Sequence, residues 1–342
     1  MRSSKRNILS RLMGAMLCVA SIGLAFSSCE RIFDDLEPCP HGVSLRFVYD
    51  YNMLYANAFP SSVDCLTLYI YDDNGNYVDT KVVTGPELQD ENYRMTLDLK
   101  EGTYRFVAYG GLACEKNTFS VLQEPSSGSK YTDLRVEMDK SRVSAPVPAD
   151  KRLHDMFWGE LTLATAELYS EGTVKMMKNT NNIRIVLQQL NGKPVHIDDF
   201  DFVITDDNTL FNYDNDLIAN GEITYLPWAS GEAVTGVSGE GENGGEPVVV
   251  AYSEFSTSRL MTKNSPKLLI KLKKDGKEIV NIPLNNYLLL LKSELYAKMG
   301  PQEYLDRESI WSMVFFLGND MHWIRTHIKI NDWIVRINDI VQ

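Results

Sequence analysis

Apolar and polar residues alternate along much of this chain from residue 39 onward. Leu45, Phe47 and Tyr49 alternate with Ser44 and Arg46. The same period of two recurs over residues 66–70, 93–99, 104–108, 183–187, 200–204, 268–272, 311–317, 326–330 and 333–337. Such alternation is typical of strands with one face on a core and the other in water, as in antiparallel sheets.

Short polar segments separate these runs and predict turns. Asp72-Asp73-Asn74-Gly75, Asn191-Gly192 and Asp275-Gly276 each offer a glycine where a tight hairpin needs a positive φ. Residues 229–247 are rich in glycine and acidic residues, which predicts a mobile loop. One helix is predicted, from about Asn286 to Met299, ended by Gly300-Pro301.

The strongest break in the pattern lies at residues 144–152, where two prolines and small residues interrupt every periodicity. Many short strands with few helices favour an all-β fold of two tandem β-sandwich domains. We therefore expect an N-terminal sandwich over 39–143, a linker over 144–152 and a C-terminal sandwich, carrying the short helix, over 153–342.

The first 28 residues have the layout of a secretory signal peptide. Arg2, Lys5, Arg6 and Arg11 precede an apolar run over 12–26, which is too short for a span of about 20 helical residues. Cys29 follows two serines, where a lipoprotein signal peptidase would cut and where the thiol would carry a lipid. We interpret 1–28 as the signal and 29–38 as a lipidated acidic tether; an ordinary cleavage site beside a chance cysteine is the alternative.

The charge of the chain restricts its partners. Residues 1–28 contain four basic residues and no acidic one, so the mature chain has 30 basic against 46 acidic residues and a formal net charge of −16. A surface this acidic repels nucleic acid, and we expect no nucleic-acid partner.

Three cysteines remain after the signal and the lipidated position, so at most one disulfide can form among them. Cys39 and Cys114 both flank predicted strands, whereas Cys65 lies inside one. We therefore predict a Cys39–Cys114 disulfide. No pair has the spacing of metal ligands.

No catalytic, metal or cofactor motif is recognised. The histidines (His41, His154, His196, His322 and His327) lack metal-site spacing, and the carboxylates at 72–73, 198–199, 206–207 and 214–216 are typical of turns rather than of a calcium loop. The tryptophans (Trp158, Trp228, Trp311, Trp323 and Trp333) could stack on sugars but are more often core residues. We expect no enzyme, cofactor or small-molecule substrate.

Several stretches resemble a known family. They are Cys39-Pro40-x-Gly42, 47–53, 68–75, 223–227, 256–260, 302–308 and Ile330-Asn331-Asp332-Trp333-Ile334-Val335-Arg336. Their order and spacing over nearly all of the mature chain resemble the FimB/Mfa-type fimbrial anchor subunits, surface lipoproteins of gut and oral anaerobic Gram-negative bacteria.

The resemblance implies two transthyretin-like sandwiches on an outer-membrane lipoprotein, lipid-anchored and exposed at the cell surface. Such a protein would hold the base of a fimbria by contacting the first stalk subunit, through strand addition. Cutting after Cys29 would release the lipid, so we expect the strand at Leu45–Tyr49 to stay in place. The partner strand is then predicted at Trp333–Ile340, with Trp333, Val335 and Ile337; an ordinary edge strand is the alternative.

Two other functions stay open. The chain could be a minor or tip fimbrial subunit acting as an adhesin, which should tolerate loss of its lipid. It could instead be a glycan-binding surface lipoprotein, which predicts exposed tryptophans clustered on one face. The acidic tether resembles stretches that direct lipoproteins to the outer face, although a solubilising linker explains it as well.

Overall fold

The structure, a computed structural model, describes residues 41–144, 152–165, 169–238, 246–330 and 333–337. Within these ranges the chain is mainly β, which confirms the predicted fold class. The strands are β1 (Gly42–Val48), β2 (Leu66–Asp72), β3 (Tyr77–Val83), β4 (Met95–Leu97), β5 (Gly102–Gly110), β6 (Phe119–Val121), β7 (Val136–Met138), β8 (Phe157–Thr165), β9 (Tyr169–Lys178), β10 (Thr180–Gln189), β11 (Phe200–Asp206), β12 (Leu210–Phe211), β13 (Leu217–Ile218), β14 (Ile223–Tyr225), β15 (Ala229–Ser238), β16 (Glu246–Ser258), β17 (Lys267–Leu272), β18 (Glu278–Pro283), β19 (Ile310–Leu317), β20 (Trp323–Ile330) and β21 (Trp333–Ile337). The helices are α1 (Phe59–Ser62), α2 (Ser141–Ser144), α3 (Leu284–Leu289) and α4 (Pro301–Arg307), with 3-10 turns at Pro86–Gln89, Tyr131–Asp133, Ile197–Asp199 and Glu294–Tyr296.

The first unit is built on one seven-stranded sheet in the order β3-β2-β5-β8-β9-β1-β4. β1 runs parallel to β9, and the other neighbours are antiparallel. The turn between β2 and β3 forms as predicted: the Asp72 carboxylate accepts the amide N–H groups of Asn74 and Asn76, and Gly75 has a φ of 74°.

One apolar core fills this sheet. It contains Leu66 and Leu68 of β2 together with Met95 and Leu97 of β4, although these strands are five positions apart in the sheet. Neighbouring strands lie about 4.8 Å apart, so a flat sheet would hold β2 and β4 much too far apart for contact. The sheet therefore folds over itself and encloses its core.

The second unit contains three sheets. A six-stranded sheet has the order β15-β16-β10-β19-β20-β21, and two four-stranded sheets have the orders β14-β11-β17-β18 and β13-β12-β7-β6. A second core joins all three, and it also includes Tyr69, Tyr71, Val107 and Tyr109 from the outer face of the first sheet. The alternation over 66–70 predicted a solvent face for Tyr69, but Tyr69 is buried because the second unit covers that face of the sheet. Tyr71 is buried there as well.

The predicted domain boundary at 144–152 is wrong in one respect. β8 and β9 follow it in sequence, but they pair within the first sheet: β8 with β5 over nine positions, and β9 with β1 over seven. Conversely, β7 precedes the boundary and pairs with β12 of the second unit. The chain therefore enters the second unit, returns to the first and crosses finally at Asn179, between β9 and β10.

The predicted Cys39–Cys114 disulfide is also wrong. Cys114 bonds to Cys65, with Cα atoms 5.4 Å apart, and Cys39 lies outside the described residues. Cys65 directly precedes β2 and lies next to the end of β5, where the Gly111 amide donates to the Cys65 carbonyl. That placement brings the loop carrying Cys114 to Cys65, so the position of Cys65 at the strand border favours the bond rather than excluding it.

The single helix predicted over 286–299 is divided. α3 ends at Leu289, a 3-10 turn follows, and α4 begins at Pro301. Gly300-Pro301 therefore starts a helix rather than ending one. Proline lacks an N–H group, but the N–H groups of the first helical turn have no partner within the helix, so nothing is lost there.

The predicted mobile loop at 229–247 is also partly wrong, since β15 occupies Ala229–Ser238; residues 239–245 lie outside the described ranges.

Candidate subunit-interaction site

β1 is an interior strand of the first sheet. It pairs with β9 from Gly42 to Val48 and with β4 from Val43 to Leu45, and the Val43 and Leu45 side chains are fully buried. Gly42 has a φ of 133°, and a Cβ there would lie 1.9 Å from the Leu97 carbonyl oxygen. The start of the described chain is therefore fixed on both sides rather than lying on an open edge.

β21 lies at the opposite extreme, on the edge of the six-stranded sheet. It pairs antiparallel with β20 from Ile330–Trp333 to Thr326–Ile337, and none of the described strands pairs with its other edge. An edge strand presents a row of backbone N–H and C=O groups on which another chain can form a ladder. The predicted partner residues Trp333, Val335 and Ile337 occupy alternate positions of this strand.

A side-chain clamp joins α4 to the first unit. The Arg307 guanidinium lies 4.1 Å from the centre of the Tyr51 ring and 4.6 Å from that of Tyr55, and its Nε donates to Glu303 at 2.8 Å. Cation–π contacts of a largely buried guanidinium contribute about 1–2 kcal/mol. Both tyrosines belong to the loop that follows β1, so this contact connects the N-terminal strand with the second unit.

A buried ion pair fixes the other side of the same helix. Arg259 donates two hydrogen bonds of 2.8 Å to the Asp306 carboxylate and a third, of 2.6 Å, to the Asn215 carbonyl. Asn215 in turn exchanges side-chain hydrogen bonds with Asn179, the residue at which the chain crosses between the units. Satisfied buried polar groups of this kind hold one arrangement, because breaking any of them leaves an unpaired group inside.

Those of the remaining candidate residues that lie within the described ranges form no chemical centre. Cys29 and Cys39 lie outside the described residues. His41, His154, His196 and His322 each contact a single carboxylate, on Asp98, Asp64, Glu232 and Asp320 respectively. Asp64, Cys65 and Cys114 come together, but the disulfide removes both thiolates and leaves one carboxylate as a ligand, too few for a metal.

The acidic pairs serve mainly as turn residues, as expected. Asp214 accepts the amide of Asp216, and Asp216 pairs with Lys263 at 2.6 Å. Asp206 differs, because it is buried and burial raises the pKa of its carboxyl to about 6. One of its carboxylate oxygens accepts hydrogen bonds from Asp207 and Asn264, while the other is buried without a partner among the described residues.

The tryptophans do not form an exposed platform in the described part of the chain. Trp311 is buried and donates to Asn181, whereas Trp158, Trp228 and Trp323 are half-buried at separate places in the fold. Trp228 and Trp311 line one pocket, but Trp311 is buried, so these four do not form the exposed cluster that a glycan-binding lipoprotein predicts. No described helix is long and apolar enough to cross a bilayer.

Comparison with known proteins decides the family. The chain matches the fimbrillin-A associated anchor proteins Mfa1 and Mfa2 over residues 36–339. It belongs to this family. The minor fimbrium anchoring subunit Mfa2 of Porphyromonas gingivalis is 20% identical to it over 353 residues, covering 99% of both chains.

Solved structures agree with the family at the level of the fold. A candidate adhesin from Bacteroides thetaiotaomicron is 65% identical, with a TM-score of 0.83 over 89% of this chain and all of that one. A candidate polysaccharide-binding protein from the same species is 27% identical, with a TM-score of 0.73 and the same coverage. The fimbrial anchor protein Mfa2 of P. gingivalis, at 14% identity, has a TM-score of 0.63 over 87% of this chain and 99% of its own.

Membership in the anchor family implies a role as fimbrial anchor or adhesin at the cell surface, in contact with fimbrial subunits. The sequence pattern predicted both β1 and β21, the two strands that bear on this role. They did not find the Arg307 clamp or the Asn179–Asn215 pair, because nothing local marks an arginine or an asparagine that is buried only by a distant segment.

Proposed function

We propose that this protein anchors a fimbria to the outer membrane through a lipid on Cys29 and binds the first stalk subunit along β21. This proposal rests on the observation that β1 is paired on both edges, while no described strand pairs with the second edge of β21. The tether precedes β1, so a pull on the lipid is delivered to an interior strand. The partner is then held at the opposite end of the chain.

Retention of β1 keeps the fold joined to the proposed lipid in this arrangement. Removing β1 would expose the edges of β4 and β9 and empty the core positions of Val43 and Leu45. It would also separate the fold from Cys29. The intact β1 therefore supports an anchor that keeps its N-terminal strand and offers its C-terminal edge.

Strand addition at β21 is tested with two proline variants. In an antiparallel ladder, the N–H groups of successive residues face opposite sides. Of Ile334→Pro and Val335→Pro, one removes an N–H bonded to β20 and the other removes one on the open edge. We expect the open-edge variant to keep the wild-type melting temperature and to lose at least about tenfold in affinity for purified stalk subunit.

Val335→Thr and Ile334→Thr serve as controls, because they retain the backbone N–H and suit a strand. A chain ending at residue 332 should also fail to retain the stalk subunit. If that truncated chain stays folded and cells carrying it keep their fimbriae, the role of β21 is wrong. If both proline variants bind like wild type, strand addition at this edge is wrong.

A tip or minor subunit acting as an adhesin is the second candidate. It is supported by the structure that is 65% identical, which is described as a candidate adhesin. The two roles differ in their need for lipid: an adhesin at the tip works without it, whereas an anchor does not. A glycan-binding surface lipoprotein is a third reading, supported by the candidate polysaccharide-binding protein at 27% identity.

A further inference from the structure

A polar cleft of about 440 Å³ lies where the two units meet beside the Cys65–Cys114 disulfide. We call it the basic cleft. It is lined by Ser62, Glu115, Lys116, Arg142, Arg152 and His154, among others. A cleft of this volume falls in the range of small-molecule sites and suits one or two sugar rings.

The walls of the basic cleft are held in place. The disulfide fixes the loop that carries Lys116, and the Asn117 side chain donates to the Leu112 carbonyl at 2.7 Å. On the facing segment the His154 amide donates to the Thr118 hydroxyl at 3.0 Å, and the amide of the buried Leu153 donates to Ser256. The cleft is therefore formed without a ligand.

Most charges around the cleft are already paired. Arg142 contacts Asp139 at 3.4 Å, His154 contacts Asp64 at 3.1 Å, and Lys178 contacts Asp155 at 2.9 Å. Lys116 and Arg152 differ, because neither has a hydrogen bond or ion pair with the described residues. Two cations without a partner among the described residues therefore line one preformed cleft of a protein whose mature chain has a net charge of −16.

The other residues that line the cleft restrict the chemical class of ligand that it can bind. Glu115 carries a carboxylate that pairs with no residue of the described ranges; it can accept hydrogen bonds from hydroxyl groups but repels a simple inorganic anion. Ser62 adds a hydroxyl that can both donate and accept. A ligand with one anionic group and several hydroxyls satisfies both parts of the wall.

We propose that the basic cleft binds an acidic glycan, with Lys116 and Arg152 on the carboxylate or sulfate and Glu115 with Ser62 on the sugar hydroxyls. This site is separate from β21 and does not rest on the anchoring role.

Binding is measured by calorimetry on the full chain in detergent, with 3′-sialyllactose, trigalacturonate and a sulfated disaccharide as probes. Lactose and the methyl ester of trigalacturonate are their neutral counterparts. We expect at least one acidic probe to bind and its neutral counterpart to bind at least about tenfold more weakly. Affinity should fall as sodium chloride is raised, because ions screen the contacts.

The variant Lys116→Gln/Arg152→Gln should lose at least about tenfold in affinity for that probe. Its control is Lys274→Gln/Lys298→Gln, which changes the net charge equally at exposed lysines outside the cleft. A Glu115→Gln variant should bind the acidic glycan more weakly than wild type does, whereas its affinity for sodium sulfate should not fall.

Three results overturn the proposal: no acidic probe binds at millimolar concentration, the cleft variant binds like its control, or sodium sulfate binds as tightly as the glycan. Fimbrial attachment in cells carrying the cleft variant should equal wild type. That readout keeps a failure of this proposal distinct from a failure of the anchoring role.

Discussion

At the scale of single residues, Asp206 is the clearest departure from what its type predicts. Carboxylates usually lie on the surface, yet this one is buried at the end of β11 with one oxygen unpaired. Burial is the largest cause that raises its pKa, and the nearby charges of Asp207 and Glu222 add to it. The hydrogen bonds from Asp207 and Asn264 act in the opposite direction without cancelling it.

This residue makes stability depend on pH in a defined direction. The pKa of Asp206 is about 6 in the folded chain against an ordinary value of 3.8, so the folded state binds the proton more tightly. The tighter binding of this proton therefore stabilises the folded state fully only below about pH 4, and the stabilisation is lost as the pH rises through 6. We expect the unfolding free energy of Asp206→Asn relative to wild type to rise by about 2 kcal/mol between pH 4 and pH 7.

Urea unfolding at the two pH values measures this change. Asp201→Asn is the control, since it removes a carboxylate from the exposed side of the same strand. A relative stability of Asp206→Asn that is the same at pH 4 and pH 7 would contradict the account of the buried carboxyl.

At the scale of elements, alternation predicted β1, β2, β4, β5, β10, β11, β17 and β19 to β21, and it missed several other strands, among them β8, β9, β15 and β16. β8 has a glycine at a buried position, Gly159, because a Cβ there would lie 2.5 Å from the Lys175 carbonyl oxygen of β9. β9 is mostly polar, and of its residues only Val174 and Met176 are buried in the core. The pattern is weak where strands approach closely, and the parallel pairing of β1 with β9 joins segments too distant for any local signal.

In the candidate site too, features with a local sequence signal were predicted, and those that depend on distant segments were not. The edge strand β21 was predicted because its alternation is local, and the turn at Asp72–Gly75 because its residue types are specific to that geometry. The Cys65–Cys114 pairing was not, since it depends on which strand ends meet. The role of β21 in partner binding stays a prediction.

The disulfide should stabilise the first unit by connecting β2 to the loop after β5. It closes a loop of 49 residues, for which chain entropy suggests about 4 kcal/mol. We expect Cys65→Ala/Cys114→Ala to lose stability of this order in chemical denaturation, whereas Cys39→Ala should change it little. A large loss in both Cys39→Ala and Cys114→Ala, with little loss in Cys65→Ala alone, would restore the Cys39–Cys114 pairing.

At the scale of the whole molecule, the two units are joined by a common core and by strands that return from one unit to the other. The second core includes tyrosines from the first sheet, β8 and β9 return to that sheet, and Arg307 clamps the loop after β1. The described contacts thus connect β1, at the start of the described chain, with the second unit, whose six-stranded sheet carries β21. We expect this continuity in the proposed anchor, which would have to transmit a pull from a lipid to a fimbria.

The most direct test of that account counts fimbriae by electron microscopy, on cells and in the spent medium. The comparison includes cells with the wild-type protein, cells that lack it, and cells with Cys29→Ala. Cells with Cys18→Ala, a substitution within the predicted signal, serve as the control. The account predicts that the deletion and Cys29→Ala move fimbriae from cell to medium or lengthen them, while Cys18→Ala matches wild type. Fimbriae that stay attached at normal length in both the deletion and Cys29→Ala would contradict the anchoring role.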